Sequence, residues 1–302
     1  MMALTLRAVT RALFYHDVRD DTDEVAAAMT AFRRATGATS LLPAWLPFGP
    51  ARHAADALAA VDRIVYRLID GRLALDRDDL AARDDLLSQL ALGMRDAPAD
   101  AMSRTLLRDE LLTLFLAGHD TTSHALTWAL YLVSQHPAVE ADLHAEVDAL
   151  GRPAAFDDLD ALPLTGQILD EAMRLYPPAS VVSRQAFEDA EVGGFPIPAG
   201  SEVLVWLYHT HHDPRWYPQP EAFVPARFAP DAPPRPKHSY LPFGAGARQC
   251  IGKHFALMEA KLVLARVARR FTLRLAPGRT VTRDFAVTLA PRGGMPMVVS
   301  AR

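Results

Sequence analysis

The stretch Phe243-Gly-Ala-Gly-Ala-Arg248-Gln-Cys250-Ile-Gly252, running straight into Lys253-His-Phe-Ala-Leu-Met-Glu-Ala-Lys261, constrains this chain more than any other. Cys250 is the sole cysteine in 302 residues, so neither an internal disulfide nor a cysteine-built structural zinc site is open to it. Gly244, Gly246 and Gly252 let the backbone turn tightly and approach a flat group closely. A helix-forming run starts at about the cysteine, which puts the sulfur near orphan N–H groups and the positive end of the helix dipole. That setting favours a thiolate, and a thiolate there is a nucleophile or a metal ligand. The plainer alternative is an inert, buried packing cysteine.

The rest of the composition narrows the class. Half of the residues are apolar, 23% are charged and the net charge is −4, which describes a globular protein with a large core. The basic residues are spread out and nearly all arginine, so no nucleic-acid partner is indicated. No apolar run approaches the roughly 20 residues of a membrane span, and Arg7 and Arg11 interrupt the start too early for a secretory signal. A cytoplasmic protein is expected, with no nucleic acid and no membrane span. His209, His211 and His212 are close together but have no carboxylate or cysteine at ligand spacing, which argues against a non-haem metal site.

Apolar periodicity predicts helices over residues 3–15, from Asp20 to about Gly37, over 52–71, in a short charged stretch after Asp76, over 103–136, and over 163–176. Prolines 43, 47 and 50 mark a loop. Alternation predicts strands over Val181–Gln185, Glu191–Ile197, Glu202–Trp206, 271–276 and 285–290, with a turn at Arg292-Gly-Gly and an irregular region over 214–242. Ala117-Gly118-His119-Asp120-Thr121-Thr122-Ser123 lies inside the longest helix, where glycine and short polar residues are poor helix formers. Such a local conflict marks either a functional site or a polar kink. Glu171 and Arg174, three apart, share a helix face.

The spacing Phe-x-x-Gly-x-Arg-x-Cys-x-Gly resembles the haem-ligand loop of the cytochrome P-450 monooxygenases, with every named position filled. The resemblance implies that Cys250 is the axial thiolate on the iron of haem b, iron protoporphyrin IX. Phe243 then packs beside the sulfur, Gly244 and Gly252 shape the loop, and Arg248 pairs with a propionate. Arg184 matches a second propionate partner, and His238 is a third candidate. The family's central helix carries a matching Gly-x-Asp/Glu-Thr-Thr. On that likeness Asp120 and Thr121 deliver protons during oxygen activation, and Ala117 and Gly118 lie over the haem, Gly118 opening the helix. Glu171-x-x-Arg174, with Arg227 of Pro225-Ala226-Arg227-Phe228, resembles the family's buried charge cluster, although the family more often has Glu where Ala226 stands. His211-His-Asp-Pro214 resembles the family's His-Arg-Asp-Pro, with His212 in place of the arginine. Phe115, Ala117, Ala179 to Val182 (Val181 and Val182 above all) and Val287 are the implied substrate-side residues.

The resemblance covers the later part of a typical member. The expected fold is therefore mainly α with small β-sheets, a cytochrome P-450 fold lacking its N-terminal portion, as a single haem-binding domain over 1–302. The implied function is insertion of one oxygen atom from O2 into a small apolar organic substrate. With no carrier domain in the chain, the electrons come from a separate donor, a ferredoxin or flavodoxin with its reductase. The alternative is a haem-binding fragment or degenerate relic without turnover. The three lysines, Lys237, Lys253 and Lys261, all flank the cysteine loop. Lys253 and Lys261 lie about two helical turns apart, so they are candidates for docking an acidic carrier.

Overall fold

The computed structural model describes residues 1–14, 50–96, 103–285 and 287–302. The expected helix from Asp20 and the loop at Pro43 and Pro47 lie outside them. The chain divides into two compact units, Met1–Ser123 and His124–Arg302, each with its own apolar core.

The first unit is helical: α1 (Met2–Phe14), α2 (Pro50–Leu73), α3 (Arg77–Ala81), α4 (Leu86–Asp96) and the first part of α5 (Arg104–Gln135). Leu6, Val9, Leu13 and Phe14 of α1 recur at three- and four-residue spacing, and they meet the same kind of stripe on α2, Val61, Ile64, Val65 and Ile69. Leu107, Leu111, Leu112 and Phe115 of α5 complete that core. Arg72 is buried and holds three elements together. It donates to the carboxylate of Asp85 and the hydroxyl of Ser88, and through Nη2 to the Phe14 carbonyl at 2.8 Å. Asp85 also accepts the Ser88 N–H at 2.9 Å, which supports the start of α4.

The second unit builds on the rest of α5 with α6 (Pro137–Ala149), α7 (Pro163–Leu175), the short α8 (Leu207–His211) and α9 (Lys253–Arg270). Pro137 and Pro163 each stand at the first helical position, where a missing N–H does no harm. Pro177-Pro178 follows α7 and prevents its continuation. Leu126, Leu130 and Val133 of α5 pack with Leu143 of α6, Ile168 and Leu169 of α7, and Leu264 of α9. Among the described residues eight strands pair antiparallel into four two-stranded sheets: β1 (Val182–Gln185) with β4 (Glu202–Val205), β2 (Ala190–Val192) with β3 (Phe195–Ile197), β5 (Phe271–Leu275) with β8 (Met297–Ala301), and β6 (Arg283–Phe285) with β7 (Leu289–Pro291). In the first of these Val182 faces Val205 and Arg184 faces Val203. The one strand expected over Glu191–Ile197 is a hairpin, because Gly193 and Gly194 take positive φ and turn the chain. Likewise, 285–290 divides between β6 and β7. Among the described residues no helix is long and apolar enough to cross a membrane.

Candidate functional site

The cysteine loop belongs to the second unit. Gly244 and Gly246 have φ of 68° and 73°, a region in which any side chain would be strained. The backbone closes on itself: Gly244 N–H donates to the Leu241 carbonyl at 3.0 Å, Gln249 N–H to Gly246 at 3.0 Å, and Cys250 N–H to Phe243 at 2.9 Å. Gly252 is the N-cap of α9, and a Cβ placed on it would stand 3.8 Å from Cys250 Sγ. The thiol is exposed, as are Ala245 to Ile251, while Phe243 is half-buried. The plainer reading of a buried packing cysteine is therefore wrong, since this sulfur packs into no core.

Three donor side chains of the same unit share one trait. Arg248 and His238 are exposed and pair with no carboxylate among the described residues, and Arg184 donates only to its neighbour Ser183 O at 2.7 Å. His238 also takes φ of 67°. By contrast Arg152, Arg274 and Arg302 each grip a carboxylate at 2.6 to 2.7 Å. A loop-pinned thiol with donor side chains not paired to a carboxylate is a donor set suited to an iron porphyrin carrying two propionates. Of the expected substrate-side residues in this unit, Val181 and Val287 are exposed and Val182 is half-buried.

The structure brings Glu171, Arg174 and Arg227 together. Glu171 and Arg174 are fully buried and form a two-point pair, Nε to Oε2 at 2.7 Å and Nη2 to Oε1 at 2.8 Å. Arg174 also donates to the carbonyls of His211 (2.9 Å), Pro220 (2.8 Å) and Ala222 (3.0 Å), and its guanidinium lies 4.9 Å over Tyr217. Arg227 approaches Glu171 at 3.4 Å and donates to the Pro218 carbonyl at 2.6 Å. Ala226, in the 3-10 turn Pro225–Phe228, leaves this arrangement intact.

The Ala117–Ser123 stretch lies in the first unit, and here the expected opening of the helix does not occur. The helix α5 runs unbroken from Arg104 to Gln135. Each hydroxyl bonds a carbonyl of the helix: Thr121 Oγ1 donates to Ala117 O at 2.9 Å, Thr122 to Gly118 at 3.2 Å, and Ser123 to Asp120 at 2.8 Å, with Met2 Sδ also 3.5 Å from Ser123 Oγ. Gly118 serves packing instead, because a Cβ there would meet Val9 Cγ2 of α1 at 2.7 Å. Ala117 is exposed and Thr121 half-buried, one turn apart on the open face, whereas Asp120 is 7% exposed. Phe115 is 4% exposed between Phe14 and His119, a member of the core rather than of an open wall.

The lysine expectation is corrected as well. Lys261 is half-buried, its Nζ donates to the Leu159 carbonyl at 2.7 Å, and its Cε lies close over Gly166. It ties α9 to the 3-10 turn Phe156–Ala161 and is not free to meet a carrier. The structure gives two groups a place that the sequence did not show. Glu259 of α9 is buried with neither carboxylate oxygen bonded among the described residues, and His211 is buried beneath the approach to the cysteine loop. The only sequence signal for Glu259 was an acid on the apolar face of α9. For His211 it was the His-His-Asp-Pro segment.

Comparison with known proteins gives the family. The family model described as Cytochrome P450 matches residues 5–295. Cyclooctatin synthase of Streptomyces melanosporofaciens is 40% identical over 290 residues, which cover 93% of this chain and 62% of that protein. Cyclooctat-9-en-7-ol 5-monooxygenase of the same organism is 34% identical over 239 residues, covering 78% and 52%. The crystal structure of the cytochrome P450DA heme domain superposes with a TM-score of 0.86 at 27% identity, covering all of this chain and 67% of that one. The chain thus spans about half to three fifths of the length of these curated relatives. With a family model matched over nearly all its residues and a fold shared end to end, the chain belongs to the cytochrome P450 family, whose members are haem b proteins.

Proposed function

We propose that this chain carries the haem-thiolate site of a monooxygenase that inserts one oxygen atom from O2 into a small apolar organic substrate. The observation that carries the reading is the exposed thiol of Cys250, pinned by backbone bonds at the N-terminus of an 18-residue helix. When bound there, haem b supplies the activation of dioxygen, drawing on two electrons from outside. The chain's own residues do the rest. Cys250 supplies the sulfur at the N-terminal end of α9, and Phe243 limits water there. Arg248, Arg184 and His238 bind the two propionates, which need hydrogen-bond donors once they leave bulk water.

Thr121 Oγ1 and the Asp120 carboxyl take the part of proton delivery. Thr121 donates to Ala117 O at rest and sits on the open face, so a small rotation redirects its O–H. Val181, Val182 and Val287 offer apolar contact to the substrate. One relative is by its printed name a 5-monooxygenase of cyclooctat-9-en-7-ol, and an apolar carbocycle of that kind is the substrate class we assign. The electron donor in this reading is a ferredoxin or flavodoxin with its reductase, and the compartment is the cytoplasm, in line with the single cysteine.

The test is turnover under labelled oxygen with a surrogate reductase and a set of apolar carbocycles. The expected result is product heavier by one labelled oxygen atom, formed only with reductant. Oxygen uptake no faster than that of free haem, with no label in any product, would count against it.

A further inference from the structure

His211 is fully buried at the last position of α8 and is held from two sides. Arg174 Nη1 donates to its carbonyl at 2.9 Å, which fastens the residue to the Glu171–Arg174 pair. Its imidazole Nε2 accepts the backbone N–H of Leu241 at 2.9 Å, two residues before Phe243. The Leu241 carbonyl in turn accepts Gly244 N–H, and the Phe243 carbonyl accepts Cys250 N–H. A continuous path of bonds and backbone thus links a buried ion pair to the residue that bears the sulfur. Tyr240 braces the same segment: its hydroxyl donates to the Asp170 carbonyl at 2.9 Å and lies 3.0 Å from Asp170 Oδ1, and its ring lies 5.3 Å from His211.

We propose that His211 is the positioning residue of the thiolate loop, its neutral imidazole holding the Leu241 N–H and so fixing the strand of chain that carries Phe243 and closes onto Cys250. A rigid ring suits this task better than a flexible amide, because few rotamers are lost when the bond forms. Burial, with help from His212 and Arg174, takes the imidazole down to about 3, so Nε2 stays an acceptor over the whole working range of pH. With Nε2 accepting, the proton of the neutral ring is on Nδ1, which has no hydrogen-bond partner among the described residues. Partners one step removed from a metal ligand commonly set its orientation and basicity. The consequence for the sulfur rests on the haem-thiolate reading above, whereas the strut itself does not.

The test compares His211→Gln, whose amide oxygen reaches close to the Nε2 position, with His211→Asn, whose oxygen stops near Nδ1, and with His211→Phe, which keeps the bulk and removes the acceptor. Hydrogen exchange over residues 239–250 is measured on the chain as prepared, and the ferrous–carbonyl spectrum on the haem-loaded form. A buried donor left without its partner should raise exchange at Leu241 about tenfold in the Asn and Phe variants, with Gln within about twofold of the parent. In the haem-loaded form the Asn variant should lose the thiolate-type band several times faster than the Gln variant. A folded Gln variant beside an unfolded Asn variant supports the same conclusion. Equal exchange in Gln and Asn overturns the strut, whatever the spectra. The expected exchange pattern in a chain whose parent form shows no thiolate-type band would leave the strut standing and overturn the haem-thiolate reading instead.

Discussion

Gly118 of α5 and Val9 of α1 approach so closely that a single added methyl group on Gly118 would lie 2.7 Å from Val9 Cγ2. In an open helix, Gly→Ala stabilises by up to about 1 kcal/mol. Here overpacking opposes it by typically 1–3 kcal/mol, and the valine methyl is not the far end of a flexible chain that could swing aside. Gly118→Ala should therefore lower the melting temperature, and Val9→Ala in the same chain should recover part of the loss beyond additivity. A stabilised single variant would show that the contact is loose.

The buried pair of Glu171 and Arg174 predicts a large, asymmetric effect. Removing one partner of a buried ion pair costs about 3–5 kcal/mol, against a total stability of only about 5–15 kcal/mol for a domain. Glu171→Ala leaves Arg174 charged in the core and Val224 N–H without its 2.9 Å acceptor. Urea unfolding should show the parent stability lowered by about 3–5 kcal/mol, and Glu171→Gln should lose less because it keeps an acceptor. A Glu171→Ala variant that unfolds at the parent's urea midpoint would refute the burial argument.

Glu259 predicts a specific dependence on pH. The residue is 6% exposed, neither carboxylate oxygen is bonded among the described residues, and burial pushes its pKa from near 4.5 up to about 7. Between those values the folded state keeps a proton that the unfolded chain has released. Stability from this group is therefore complete below about pH 4.5, declines as pH rises, and is lost above about 7. The shift corresponds to a decline of order 3 kcal/mol. Denaturation followed from pH 5 to 8 should show that decline in the parent and a flatter profile in Glu259→Gln. Parallel profiles would mean that the carboxyl finds a partner when it ionises.

Thr121 separates proton delivery from helix structure. Among the described residues its hydroxyl bonds only to Ala117 O within the helix, and alanine is the better helix former, so Thr121→Ala should keep or slightly raise stability. With the proposed role, the same change should divert reductant into peroxide and lower product per electron pair several-fold. Unchanged coupling would leave Thr121 as an ordinary helical hydroxyl.

Much of this arrangement is legible in the sequence because local signals and chemistry coincide. The end of α5 is written in His136-Pro137, that of α7 in Pro177-Pro178, and the cysteine loop in three glycines around the only thiol. The helix α6 escapes, since its inward stripe is narrow and includes Glu140, whose buried carboxylate is matched by Arg274, 134 residues away. Pro137 at its first position was the available signal. The strand β8 escapes because its exposed residues pair with β5 without alternating. Thr121, Thr122 and Ser123 suggest a broken helix from propensity alone, yet their hydroxyls return to the helix's own carbonyls. Lys261 reads as free charge until the carbonyl of Leu159 is found beside it. The bond from His211 to Leu241 spans 30 residues and leaves no periodic trace.

The central claim is that Cys250 is the thiolate that holds haem iron, and the ferrous–carbonyl difference spectrum of the haem-loaded chain tests it most directly. The parent chain should give the thiolate-type band from which the family takes its name, and Cys250→Ala, with no other thiol in the chain, should abolish it while retaining the fold by circular dichroism. A thiolate-type band that survives Cys250→Ala, or one that never forms in the folded, haem-loaded parent, would contradict the account.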